Sequence, residues 1–267
     1  MNVTITLQNL QDGAGGGRWP LLAERLAPAG TDVLVITEAA GWAADECAQA
    51  RQAAADLGLT ALDLPPSRSG YHVGLLYRPD TLGDPVDYCT DLSAEVTHGC
   101  CVAAWDVGLP EPLAVTAGHF SPFSTVDALR DAELTGWTAQ RYGRYAVIGT
   151  DANQQPEGEM PDLGSMSRAD IARRFTDPLA DPPRVPRTDV ARALAADGFR
   201  DAAVRLRELT GDEKKWRART GRSGRIDWIL VSKALLPAVT AGQLLTTPPG
   251  AANHHGLSIT IDTALAS

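Results

Sequence analysis

The sequence predicts an α/β protein with a mixed β-sheet covered by helices, and three observations predict it. Continuous apolar runs such as Val33-Leu34-Val35-Ile36 and Ala146-Val147-Ile148 have the length and β-branched content of strands buried on both faces. Helical segments alternate with such runs in the first half, whereas the middle strands follow one another directly, which calls for antiparallel as well as parallel neighbours. Several runs also stop abruptly at polar side chains, and the carboxyl ends of strands are where α/β proteins usually bind ligands. With 267 residues and 44% apolar composition, the chain can bury a substantial core as a single domain over residues 1–267.

The elements follow in order. Asn2 to Leu7 reads as a strand ending at Gln8-Asn9, and a Gly-rich turn (Gly13, Gly15, Gly16, Gly17) leads into a helix from Trp19 or Pro20, where proline suits the first turn and Leu22 and Leu26 share a face. Thr31-Asp32 introduces the strand Val33 to Ile36, which ends at Thr37-Glu38. An Ala-rich helix is expected from Trp42 to Leu57, then strands over Leu59 to Leu64, Val73 to Tyr77, Val102 to Val107 and Leu113 to Thr116. The last of these runs into Ala117-Gly118-His119. Ser124 followed by Asp127 marks a helix start, with the helix reaching about Arg141 and turning Leu134 and Trp137 inward. The strand Ala146 to Thr150 then delivers Asp151 and Asn153, whose two-residue spacing sends both side chains to one side. A long loop is expected at about 154–187, two helices over Thr188 to Asp197 and Asp201 to Thr210, and a basic run at 214–225. Strands follow at Arg225 to Val231, at Val239 to Leu245 and after Asn253-His254-His255.

Composition narrows the classes. No basic, apolar leader opens the sequence and no stretch approaches a membrane span, so a cytoplasmic protein is expected. Cys47, Cys89, Cys100 and Cys101 lack metal-ligand spacing and read as reduced, small apolar residues. The formal charge of −9 argues against a general nucleic-acid coat protein. It is unevenly spread: Ser165 to Arg225 holds 15 Lys/Arg against 9 Asp/Glu, and the rest 9 against 24. A solvated helical face accounts for Arg192, Arg205 and Arg207, but Lys214-Lys215-Trp216-Arg217-Ala218-Arg219 interleaves an aromatic with charge, as a nucleic-acid contact would.

Polar residues therefore stand at six strand ends: Asn9, Glu38, His119, Asp151 with Asn153, Asp227 and His254-His255. Each alone is an ordinary turn former or surface residue. In this order they resemble the motifs of the endonuclease/exonuclease/phosphatase superfamily, the DNase I-like proteins, over nearly the whole chain. The resemblance implies a four-layer α/β sandwich of two packed mixed sheets flanked by helices. It implies that Glu38 and Asn9 sit at the metal and scissile phosphate, that His119 contacts the phosphate, and that Asp151 and Asn153 position the nucleophilic water. It further matches Asp227 of Arg225-Ile226-Asp227-Trp228 and His255 to the catalytic Asp and His. The chemistry is coherent: a cation on Glu38 offsets phosphate charge, a neutral His255 oriented by Asp227 accepts the proton of water, and Asn153 holds water or phosphate without adding charge. One departure is expected. The family's Ser-Asp-His is Asn253-His254-His255 here, so His254 replaces an aspartate at the metal and tilts the preference from Mg²⁺ toward Mn²⁺, unless it simply faces solvent. Tyr71 and His72 are the residues available as the family's phosphate clamp.

These readings favour a metal-dependent phosphodiester hydrolase using Mg²⁺ or Mn²⁺, first of all a nuclease, with Lys214, Lys215, Trp216, Arg217, Arg219 and Arg225 as substrate-binding residues. A phosphatase or phosphodiesterase of a small molecule or lipid head group, and a catalytically silent binding protein, are the alternatives. Oligomeric state is left open by the sequence.

Overall fold

The computed structural model describes residues 1–267. Its strands are β1 (Asn2–Asn9), β2 (Val33–Thr37), β3 (Thr60–Ala61), β4 (Gly74–Tyr77), β5 (Asp87–Cys89), β6 (Cys100–Trp105), β7 (Leu113–His119), β8 (Ala146–Asp151), β9 (Phe199–Asp201), β10 (Asp227–Ser232), β11 (Val239–Leu245) and β12 (Gly256–Asp262). They form two mixed six-stranded sheets, ordered β11-β12-β1-β2-β4-β3 and β5-β6-β7-β8-β10-β9. Each sheet is antiparallel except for one central parallel pair, β1 with β2 and β7 with β8. Parallel neighbours end together, so Asn9 stands beside Thr37 and His119 beside Asp151. The two pairs bring four polar termini to the same edge of the sandwich.

The inner faces of the sheets make the largest core, with Ile5, Leu7, Val35 and Ile259 of one against Val115, Val147, Ile229 and Val231 of the other. Every second residue of these strands points inward, as the pleat requires. At the centre the sheets approach so closely that a Cβ on Gly149 would lie 2.9 Å from the Val35 side chain, which explains a glycine in a buried strand. On the outer face of the first sheet, Leu34 and Ile36 pack under α1 (Trp19–Leu26) and α2 (Ala48–Asp56); after α3 (Pro79–Leu82), α4 (Thr125–Ala139) covers the second sheet. The helices α5 (Arg168–Arg174), α6 (Asp189–Ala196), α7 (Ala202–Thr210) and α8 (Glu213–Trp216) complete the order. The result is the four-layer sandwich, helices–sheet–sheet–helices.

Three local expectations change. α2 starts at Ala48 rather than near Trp42, because the Trp42 indole is buried and donates to the Gly13 carbonyl (2.8 Å), holding that stretch as turns. The inward face of α4 is Ala128, Ala132, Thr135, Gly136 and Ala139, whereas Trp137 is 62% exposed. Small residues are needed there because α6 crosses tightly: a Cβ on Gly136 would meet Leu194 at 3.3 Å. The stretch at 154–187 is also not featureless, since it contains α5, started by a Ser167–Asp170 capping box. No helix is long and apolar enough to cross a membrane.

Candidate active site

The site begins with Asn9 at the end of β1. Its side-chain oxygen accepts the Gln11 N–H (2.8 Å), which turns the amide nitrogen toward Glu38 Oε1 and Asp151 Oδ2, at 3.0 Å from each. Asn9 thus bridges two carboxylates from different sheets. Asn9 was expected at the metal and phosphate; its amide N–H faces the two carboxylates there.

Glu38 follows β2 with φ of 55°, a left-handed conformation uncommon for glutamate, and strain of this kind gathers at functional sites. The neighbouring turn secures it. Gly13 N–H donates to the Glu38 carbonyl (2.7 Å), and at φ of 66° any Cβ on Gly13 would strike the Ala40 carbonyl. Asp12 N–H reaches the Glu38 carboxylate (3.2 Å).

Asp151 ends β8 fully buried, and its Oδ1 accepts Asn153 N–H (3.0 Å) in an Asx turn. Burial, followed by the charges of Asp227 and Glu38, pushes its carboxyl up to about 7. Asn153, also left-handed (φ 51°), gives its amide nitrogen to the Phe120 carbonyl (3.0 Å) and to His119 Nε2 (3.1 Å). His119 therefore accepts at Nε2 and carries its proton at Nδ1. Burial holds it neutral, well below the ordinary histidine range, with His98 and His254 adding to the effect. His98 stacks on it with ring centroids 4.0 Å apart.

Asp227 opens β10 directly opposite Asp151, and the Thr220 hydroxyl accepts its N–H at 2.9 Å. Its Oδ2 lies 2.8 Å from a histidine Nδ1, and that histidine is His254, which is 6% exposed. The expectation that Asp227 orients His255 is corrected here: successive side chains entering β12 point to opposite sides, and His255 Nδ1 accepts Thr247 N–H (3.2 Å) instead. Burial opposes charge on His254, but the Asp227 carboxylate, with Asp151 and Glu38 behind it, outweighs that and raises the imidazole to about 9. His254, expected in the place of an aspartate at the metal, is thus the histidine that Asp227 engages.

Ligand atoms of Glu38, Asp151 and His254 lie within 4.8 Å of one another. Asp227 Oδ1 is buried with no hydrogen-bond partner. Two carboxylates meeting at one point fit a hard divalent cation. Because Asp227 engages His254 Nδ1, any ligation by this imidazole would fall to Nε2.

The basic run is built differently from the expectation. Trp216 is 2% exposed, packs in the main core and donates to Thr210 (3.0 Å), so it offers no ring for stacking. Arg225 is buried too, held by Glu159 (2.9 Å) and Asp201 (2.6 Å). Arg217 pairs with Glu213 and Arg219 with Asp162, both at 2.6 Å, while Lys215 lies over the Trp216 ring and Lys214 is exposed. Tyr71 donates to Asp12 (2.9 Å), and His72 meets the Pro65 carbonyl (2.8 Å). Two residues near the site were missed by sequence reading: His98, and Arg174 at the end of α5, which bonds Ser223 (3.2 Å) and has no carboxylate within 4.0 Å. A lone histidine before Gly99 and one arginine in a long loop carry no motif.

No sequence-family model matches the chain, and no curated sequence matches it significantly. Solved structures do. An AP endonuclease from Archaeoglobus fulgidus is similar with a TM-score of 0.66 at 16% identity, covering 97% of this chain and 99% of that one. The chain has the DNase I-like fold. Two proteins from Bacteroides thetaiotaomicron share this DNase I-like fold. An endonuclease/exonuclease/phosphatase family protein has a TM-score of 0.63 at 16% identity, covering 98% of this chain and 97% of that one. A mannosyl-6-phosphatase has a TM-score of 0.62 at 14% identity, covering 97% and 100%.

Proposed function

We propose that this chain is a metal-dependent phosphodiester hydrolase, with nucleic acid the first substrate class and the edge of the DNase I-like sandwich as its active site. The observation that carries the reading is the buried Asp227–His254 pair set beside the Glu38 and Asp151 carboxylates. Glu38 and Asp151 would hold Mg²⁺ or Mn²⁺, and the ion would offset phosphate charge and polarise the phosphorus–oxygen bonds. Asp227 holds Nδ1–H of His254 and orients the ring; the neutral imidazole, the minor form below about pH 9, would present Nε2 to accept the proton of an attacking water, a role generally worth ~10²–10⁴-fold in rate. Asn9 fixes both carboxylates in place. Asn153 keeps His119 oriented, and its own Oδ1 carries no protein partner, which leaves an acceptor for water.

The AP endonuclease neighbour supports nucleic acid as substrate. A second reading, hydrolysis of a small phosphate ester, is favoured by a specific observation: Trp216 and Arg225 are buried, and Arg217 and Arg219 are paired with carboxylates in a chain of net charge −9. The mannosyl-6-phosphatase neighbour belongs on this side.

The test is nicking of supercoiled plasmid and hydrolysis of bis(p-nitrophenyl) phosphate by wild type and His254→Ala, with Mg²⁺, Mn²⁺ or chelator. Metal-dependent turnover lost in the variant is expected. Turnover of the ester without nicking promotes the small-molecule reading, and turnover in chelator would overturn the metal dependence.

A further inference from the structure

Beside His119 stands a group of rings that the proposed chemistry does not use. His98 lies flat on His119, with centroids 4.0 Å apart and planes 16° from parallel. Two exposed rings border His98 in turn, Tyr71 edge-on at 6.1 Å and Phe123 tilted at 6.3 Å. Phe123 is 68% exposed, whereas the other three phenylalanines, Phe120, Phe175 and Phe199, are buried. Single exposed apolar residues are ordinary on a protein surface, so exposure alone decides nothing. What marks Phe123 is that its place is fixed. Buried Asp131 of α4 accepts the Thr97 N–H at Oδ1 (3.0 Å) and the Ser121 N–H at Oδ2 (2.9 Å), so one carboxylate ties the turn carrying His98 to the turn carrying Phe123. The Ser121 hydroxyl accepts the Phe123 N–H (3.3 Å), and Ser124 then caps α4. A ring held toward solvent by a braced turn, two ring-to-ring steps from His119, is pre-organised for a partner with an apolar face.

Resting on the phosphodiester-hydrolase reading, we propose that Phe123 is the stacking surface for a nucleobase of the substrate, the base of a nucleoside next to the scissile phosphate. Every nucleobase presents a π-face to an aromatic ring, whereas the hydroxyls of a sugar phosphate gain nothing there. Charge leads to the same conclusion. With Arg217 and Arg219 paired and Arg225 buried in a chain of net charge −9, attraction for a phosphate backbone is weak, so affinity for nucleic acid has to come from contact with bases. Stacking on Phe123 requires a base free of its duplex neighbours, which makes the substrate a single strand, an opened end or a small nucleotide ester. Tyr71 is fixed by the bond from its hydroxyl to Asp12 (2.9 Å) and stands beside His98 as a second, less exposed ring.

The experiment compares wild type, Phe123→Ala, Phe123→Leu and Phe123→Trp on a thymidine dinucleotide and on two counterparts lacking either the 5′ or the 3′ base. Wild type should favour the complete dinucleotide in kcat/KM by about fivefold or more over one of the two counterparts, with the difference carried by KM, as expected for one stacked base. Phe123→Ala should erase that ratio, Phe123→Trp should keep it, and Phe123→Leu, apolar but without a π-face, should keep little of it. A ratio unchanged in Phe123→Ala, or all three substrates slowed equally, overturns the assignment. Calorimetry in chelator reads the contact without turnover. Wild type should bind the complete dinucleotide about fivefold or more tighter than that counterpart, and Phe123→Ala should bind the two alike; no preference for the base in wild type refutes the platform. Should no substrate turn over in any metal, the hydrolase reading fails by itself while calorimetry still decides the platform. Affinity that rises from the dinucleotide to a single-stranded oligothymidylate would assign the stacked base to a polynucleotide, and affinity independent of length to a small nucleotide ester.

Discussion

His254 and His255 are adjacent, chemically identical and set on opposite sides of the chain, so exchanging one at a time separates catalysis from scaffolding. His254→Gln removes the imidazole that Asp227 holds at 2.8 Å and leaves that buried carboxylate without its only side-chain partner. Loss of a general base lowers kcat by roughly 10²–10⁴, about 3–5 kcal/mol of barrier. His255→Ala removes one acceptor, for the Thr247 N–H at 3.2 Å, on a half-buried ring. That costs about 0.5–1.5 kcal/mol of stability and should change kcat by no more than about threefold. Initial rates on bis(p-nitrophenyl) phosphate at saturating Mg²⁺, with urea midpoints to confirm folding, measure both. If His255→Ala abolishes turnover and His254→Gln retains it, the dyad assignment is wrong and the whole site must be rebuilt around the other ring.

The pH dependence of stability in chelator tests the same pair. The His254 value in the fold, about 9, lies above its ordinary 6.5, so the folded state holds the extra proton and its stabilisation is full below about 6.5 and lost as pH rises through about 9. Urea midpoints should fall over that window in wild type and fall less in His254→Gln; equal slopes would count against the Asp227 contact. Arg225→Met leaves Asp201 without its cation and Glu159 with Arg207 alone, and should cost about 3–5 kcal/mol, whereas Arg219→Ala, an exposed pair, should cost less than about 1 kcal/mol. Equal midpoints in urea would refute the distinction. Trp216→Ala should lower stability by about 3–5 kcal/mol while leaving the salt dependence of nucleic-acid binding as it was; a folded variant with a shallower salt slope would restore the stacking role. Asn253→Asp, which places a carboxylate one residue before His254, should lower the Mg²⁺ concentration giving half-maximal rate, and no change in a metal titration would argue that position 253 does not reach the ion.

The strands of the sandwich were legible because their signals are local. β1, β2, β7, β8 and β10 are apolar runs ended by a polar residue, and each appears within about three residues of its expected place. Elements set by tertiary contacts were not legible. β5 is three residues long and exists because Asp87 to Cys89 lie against β6, and Trp42 resembles a helical residue until its indole finds the Gly13 carbonyl across the chain. The inner face of α4 misled for a related reason: apolar Trp137 was expected inside, but α6 lies so near Gly136 that only small side chains fit. Volume, not hydrophobicity, decides that face.

The site divides along the same line. Asp151, Asn153 and Asp227 sit at strand ends where chain direction fixes the side-chain direction, and they meet as sequence order implied. At Asn253-His254-His255 the chain is still turning into β12, so a one-residue shift of register moves a side chain from the Asp227 side to the Thr247 side, and nothing local distinguishes two consecutive histidines. What distinguishes them is a carboxylate 27 positions upstream. The charged residues of 214–225 failed for the converse reason. A Lys/Arg run with tryptophan has the composition of a nucleic-acid contact, but composition does not record that Glu159, Asp162 and Asp201 answer those charges from elsewhere in the chain. Which members of the run are answered and which, such as the exposed Lys214, are not is settled only by what the fold places beside them.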